Sequence, residues 1–271
     1  MRNMFFVFVF ISAFASTAFA KVTLPDILSD NMVLQQNTGV RLWGKATPNA
    51  AVKVHPSWAK MTTTVRTDSK GNWQANIQTP TATFNPQTLT FSDGELIILK
   101  NILIGEVWLA SGQSNMEMPL NGYWNCPVKG ANEIIALSGK NKGIRFATVP
   151  KTPAYEPQET VAGKWMESNP NNTPWFSATA YHFAQTLYHS LDVPVGIIVC
   201  SWGGSRVESW TNREILETYP DINLSKKGIE AVEEWKRPLV MYNGMLKPPT
   251  NFTIKGFIWY QGESNVGKHE D

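Results

Sequence analysis

The feature that most constrains this chain is the run from Val195 to Cys200, which is apolar almost without interruption. A strand with one wet face alternates between apolar and polar residues. A run like this one needs cover on both faces, as in a parallel sheet between helical layers. The segment before it fits. Ser177 to Leu191 sets Ala180, Tyr181, Ala184, Leu187, Tyr188 and Leu191 at i, i+3, i+4 spacing, with Ser177 available as a cap and Pro194 beyond the end. Helix followed by buried strand is the α/β alternation. Glu106 to Ala110 and Ile254 to Tyr260 read as further strands, Trp165 to Phe176 as a Pro/Asn-rich loop, and Asn212 to Arg237 as a polar, helical insertion.

Residues 22–100 have another texture. Val40 to Trp43, Ala51 to Val54, Thr62 to Thr67, Trp73 to Ile77, Thr88 to Phe91 and Leu96 to Leu99 are short strand-like runs. Pro48-Asn49, Ser69-Lys70-Gly71-Asn72 and Ser92-Asp93-Gly94 punctuate them. This spacing, with no helical period, predicts a β-sandwich over residues 21–101 ahead of an α/β domain over residues 102–271. Before both, Arg2, the apolar run Phe5 to Phe14 and the small-residue end Ala18-Phe19-Ala20 read as an export signal over residues 1–20. The mature chain then starts near Lys21 and is secreted or periplasmic. Broken by Ser12, Ser16 and Thr17, the run is shorter than the roughly 20 residues of a membrane span, so no membrane attachment is expected after cleavage.

A formal charge of +2 from 24 basic and 22 acidic residues, without a dense Lys/Arg block, argues against a nucleic-acid partner. The 11 Trp and 7 Tyr suggest stacking on sugars, although most such rings belong to cores. Two cysteines, Cys126 and Cys200, are compatible with a disulfide in an exported protein and equally with two buried thiols. No His/Cys spacing makes a metal site, and no cofactor is implied.

Chemistry concentrates at three strand ends. Ser111-Gly112-Gln113-Ser114-Asn115-Met116 follows the strand Val107 to Ala110 directly. Ligands of open α/β sheets bind outside the carboxyl ends of strands, which is where a nucleophilic serine belongs. Met116 excludes the G-x-S-x-G elbow, and a serine that merely caps a helix is the plain alternative. Strand Val195 to Cys200 runs into Ser201-Trp202-Gly203-Gly204-Ser205-Arg206-Val207-Glu208-Ser209-Trp210, and strand Ile254 to Tyr260 into Gln261-Gly262-Glu263-Ser264-Asn265. Acyl transfer needs donors aimed at a developing oxyanion, and glycine N–H groups with a side-chain amide supply them without adding charge. Ordinary turns and surface polar residues are the competing readings.

Taken together, these three blocks resemble those of the SGNH-type hydrolases, in the branch of sialate O-acetylesterases and related carbohydrate acetylesterases. Leu28 to Gln36, leading into Trp43-Gly44, resembles the sandwich that precedes the hydrolase domain there. The resemblance implies a three-layer α/β/α domain and hydrolysis of an acetyl ester on a sugar hydroxyl, with sialic acid as the sugar. Acetylated xylan and a carbohydrate-binding chain without turnover are the alternatives. It also implies that Ser114 is the nucleophile. Its own N–H, that of Gly204 and an amide, Gln261 first and Asn265 second, would form the oxyanion hole. Glu208 and Glu263 would organise the turns. Arg206 would meet a sugar carboxylate or else pair with a neighbouring acid.

The family's D-x-x-H block, which supplies the base and its orienting aspartate, does not occur in these 271 residues and is expected beyond Asp271. His55 falls in the sandwich and His182 and His189 on the helix. His269, with Asp271, follows the third block most closely but departs from D-x-x-H. A serine without a base retains only the catalysis of binding and the oxyanion hole.

Overall fold

Six strands open the computed structural model, which describes residues 21–267: β1 (Val33–Gln35), β2 (Gly39–Lys45), β3 (Ala51–Pro56), β4 (Thr63–Arg66), β5 (Asn72–Gln78) and β6 (Thr83–Ser92). The export-signal reading of residues 1–20 lies outside the described residues, as do His269 and Asp271. β5 shows how sequence sets the layer, since Trp73, Ala75 and Ile77 are buried while the residues between them are exposed. It pairs antiparallel with β2. Their inner faces bring Val40, Leu42, Ala75 and Ile77 into one core with Val52, Val54, Leu89 and Phe91 of β3 and β6, which is the expected sandwich.

β7 (Leu96–Gly112) carries the chain out of the sandwich. At about 3.3 Å per residue it is on the order of 55 Å long. Its first part pairs antiparallel with β6 and its last part is a central strand of the α/β sheet, so the expected boundary at 101/102 falls inside one continuous strand. After it come α1 (Ser114–Glu117), α2 (Ala131–Leu137), β8 (Ile144–Thr148), β9 (Trp165–Glu167), α3 (Ala178–Leu191), β10 (Val195–Ser201), α4 (Arg213–Leu216), α5 (Lys226–Glu230) and β11 (Gly256–Tyr260). The sheet order is β11-β7-β10-β8-β9, parallel except for β9.

Both faces of this sheet are covered. Val195, Ile197 and Val199 of β10 pack with Ala180, Tyr181 and Ala184 of α3, and with Met116, Phe146 and Phe176. Ile198 and Cys200, on the opposite face, join Val107 and Leu109 of β7 and Val240, Met241, Met245 and Phe252 from the turns before β11. The domain is thus a three-layer α/β fold. At β10 the unbroken apolar run is satisfied by these two layers, each buried aliphatic side chain contributing roughly 1.5–3 kcal/mol.

Several local outcomes differ from the sequence reading. The Trp165 to Phe176 loop begins as β9, held by its pairing with β8. The 212–237 insertion is helical as expected, though broken into two short helices and a 3-10 turn at Glu234–Lys236. Cys126 is exposed and Cys200 buried, and both are free thiols.

Candidate active site

The carboxyl ends of β7, β10 and β11 bring the three sequence blocks together. Gly112 sits at φ +139°, and a side chain there would collide with the Tyr260 carbonyl oxygen of β11, so glycine is required for the strands to close up beside the serine. The Gln113 N–H donates to the Tyr260 carbonyl at 3.0 Å, and the Trp202 N–H to the Gly112 carbonyl at 3.0 Å. Ser114 is the first residue of α1. Gln113 is the N-cap and makes no side-chain capping bond, so Ser114 is not acting as a cap.

Gln113, buried, is the hub of the third block. Its Oε1 accepts from Gln261 Nε2 at 3.3 Å, from the Gly262 N–H at 3.4 Å and from the Ser264 N–H at 3.2 Å. Gln261 Nε2 also faces the Ser205 carbonyl at 3.2 Å and Asn265 Oδ1 at 2.6 Å. Asn265 Nδ2 donates to Glu208 Oε2 at 2.9 Å, and its Oδ1 accepts the Val207 N–H at 3.1 Å. Glu263 accepts from the Asn115 side-chain amide. In this arrangement the donors of Gln261 and Asn265 are engaged among the loops, while Glu208 and Glu263 each tie one block to another.

The second block lies over the nucleophile. A Cβ built on Gly203 would stand 3.4 Å from Ser114 Cβ. The Gly203 N–H donates to the Glu117 carboxylate, and Ser205 Oγ accepts from Trp210 Nε1 at 2.8 Å. Gly204, at φ +77°, packs against the Trp235 indole, and its N–H has no partner among the described residues. The Ser114 N–H likewise has no carbonyl one turn behind it within α1. Neither of these backbone donors has an acceptor among the described residues. Ser114 Oγ makes no hydrogen bond among the described residues, and His55 is bonded to Thr62 at 3.3 Å in the sandwich. His182 and His189 are exposed on α3.

Residues 104–271 match the family described as carbohydrate esterase, sialic acid-specific acetylesterase. The chain belongs to that family. Among its relatives, the sialate O-acetylesterase of Pongo abelii is 29% identical over 263 residues, and that of Homo sapiens 29% over 266. Each alignment covers 90% of this chain and 49% of the relative. The chain thus spans about half the length of the relatives it matches. A crystal structure of a carbohydrate acetylesterase from Xanthomonas citri superposes with a TM-score of 0.78 at 34% identity, covering 90% of this chain and 52% of that one.

Sequence reasoning missed four residues around Ser114 and the Gly203-Gly204 turn. Gln113 was legible only as part of a motif. Glu117 stands three residues after Ser114, on the same side of α1. Lys151 pairs with Glu117 at 2.5 Å and its ammonium lies 5.4 Å from the centre of the Trp202 ring. Trp235 arrives from the insertion, where nothing local ties it to the site. Arg206 makes no ion pair among the described residues, and its Nε is buried without a partner. Burial first, and the Glu117 charge second, push the Tyr123 phenol up to about 12.

Proposed function

We propose that this chain carries the nucleophile and oxyanion hole of a carbohydrate O-acetylesterase, and that its substrate is O-acetylated sialic acid. The observation that carries the reading is the Ser114 hydroxyl beside the Gly203-Gly204 turn, with neither that hydroxyl nor the Gly204 N–H partnered among the described residues. Ser114 Oγ attacks the acetyl carbonyl carbon. The carbonyl oxygen takes up the negative charge facing the Gly204 and Ser114 N–H groups, and the C–O bond to the sugar breaks as the sugar oxygen is protonated. The base that receives the Oγ proton is the histidine of the D-x-x-H block that the resemblance implies.

Support for an acidic sugar comes from the Arg206 guanidinium two residues after Gly204, which feels the Glu233 charge but makes no ion pair among the described residues, since a planar fork matches a carboxylate. Half-exposed Trp235, Trp259 and Tyr260 supply flat apolar faces nearby. Membership in a family described as sialic acid-specific agrees with this.

The test is to expose the 271-residue chain to an activated aryl acetate and look for one acetyl group on the peptide containing Ser114. Slow acetylation is expected, since the base lies outside this chain, and Ser114→Ala is expected to leave that peptide unlabelled. O-acetylated sialic acid is expected to protect Ser114 better than acetylated xylo-oligosaccharide. The reverse order would overturn the substrate, and unchanged acetylation in Ser114→Ala would overturn the nucleophile.

A further inference from the structure

The Gly203-Gly204 turn packs against Ser114 through Gly203, and its two N–H groups are not equivalent. The Gly203 N–H is bound to Glu117 Oε2, while the Gly204 N–H has no partner among the described residues. Glu117 lies one turn along α1 from Ser114, so the same four-residue helix holds the nucleophile and an acceptor for the turn above it. A Cβ on Gly203 would come 3.1 Å from Glu117 Oε2 and 3.4 Å from Ser114 Cβ, which fixes how closely the two are stacked. Resting on the esterase reading, we propose that Glu117 is a positioning residue. It anchors the Gly203 N–H so that the Gly204 N–H is held toward the acetyl oxygen, and Lys151 neutralises it so that its charge does not oppose the oxyanion.

The second half follows from electrostatics. A carboxylate beside a site where negative charge develops raises the barrier unless a cation compensates it. Lys151 Nζ sits 2.5 Å from Glu117 Oε1, the oxygen that the glycine does not use, and its ammonium is held 5.4 Å from the Trp202 ring centre. Trp202 immediately precedes Gly203, so the cation, the carboxylate and the turn form a closed clamp. The Glu117 side chain is 25% exposed and that of Lys151 44%. At that exposure the pair adds little to stability in itself, and its consequence is geometric and electrostatic.

A purely structural role and a positioning role differ in what restores the rate. Acetylation of Ser114 by an aryl acetate, read at saturating and subsaturating ester, is measured alongside hydrogen exchange at the Gly203 amide in the whole chain. In Glu117→Ala the saturating rate is expected to fall roughly ten- to hundredfold with little change in half-saturation, and Gly203 exchange to accelerate by a similar factor. Glu117→Gln, whose amide oxygen still accepts, recovers part of both. Lys151→Met keeps Gly203 protected yet slows acetylation, because a bare carboxylate now faces the oxyanion. Adding Glu117→Gln to Lys151→Met then raises the rate again, which loss of a structural contact does not predict.

Unchanged Gly203 exchange in Glu117→Ala overturns the clamp. Accelerated exchange with an unchanged acetylation rate overturns the positioning role, and a double variant slower than Lys151→Met overturns the charge argument. If the parent chain is never acetylated, the esterase reading falls, and Gly203 exchange alone still decides whether Glu117 holds the turn.

Discussion

Cys200 sits on β10 with its side chain sealed between two layers, and burial pushes its thiol well above the ordinary range. Cys126 is exposed on a loop. Only a thiolate attacks a disulfide reagent, so the native protein is expected to consume one equivalent and the denatured protein two. Two equivalents at native conditions would contradict the sealed β10. The raised Cys200 value also sets a sign for stability. As pH climbs past the ordinary thiol value of about 8.5, the unfolded chain releases that proton while the folded one keeps it, so stability falls with further rise. Urea unfolding between pH 8 and pH 10 should show a loss of up to about 1.4 kcal/mol per pH unit from this group. That part of the slope should disappear in Cys200→Ala.

Among the elements, α3 was the most legible, because its apolar stripe, its cap and the proline beyond it agree. The structure gives Ser177 a second duty that spacing does not reveal. Its Oγ accepts the Ala180 N–H at 3.1 Å, closing the start of α3, and donates to the Met116 carbonyl of α1 at 2.6 Å. Ser177→Ala should therefore cost about 1–2 kcal/mol in chemical denaturation and also slow Ser114 acetylation, since α1 is only four residues long and is held by its neighbours. A change in neither would show the bond to be dispensable. β10 and β11 were legible for the same reason as α3, since long apolar runs leave few options. β8 was not, because Arg145, its second residue, interrupts the apolar run and reads as exposed when it is buried. β9 has three residues and exists only by pairing with β8. At the site, the residues carried on motifs could be read from the chain. Lys151 and Trp235 could not, because tertiary folding alone brings them to Glu117 and Gly204.

At the scale of the whole molecule, sandwich and α/β domain are joined by more than a linker. β7 belongs to both sheets, and one continuous set of buried side chains runs from Val40 and Phe91 through Leu109 and Ile198 to Met245. Arg145 of β8 fastens the joint. It donates to the Asn31 carbonyl at 2.9 Å, to the Asn101 carbonyl, to Asn101 Oδ1 at 3.0 Å and to Glu167 Oε1 at 3.1 Å. Asn31 and Asn101 adopt φ +67° and +56°, which turns their carbonyls toward it. Burial brings the guanidinium down to about 10, with Glu167 opposing the shift, so it stays charged at neutral pH. Arg145→Met removes this donor from the Asn31 and Asn101 oxygens in the joint, while Glu167 Oε1 keeps its bond from Asn101 Nδ2 at 2.7 Å. The cost should be about 3 kcal/mol, the low end for a broken buried pair, because the Glu167 side chain is 35% exposed and keeps access to water. Scanning calorimetry should register this as a fall of about 6–12 °C in Tm. Arg145→Lys should fall between, since one ammonium cannot serve acceptors arrayed around a planar fork. Because β7 cannot leave one sheet without disturbing the other, the variant should still unfold in a single transition. Two separate transitions would show that the shared strand does not couple the halves.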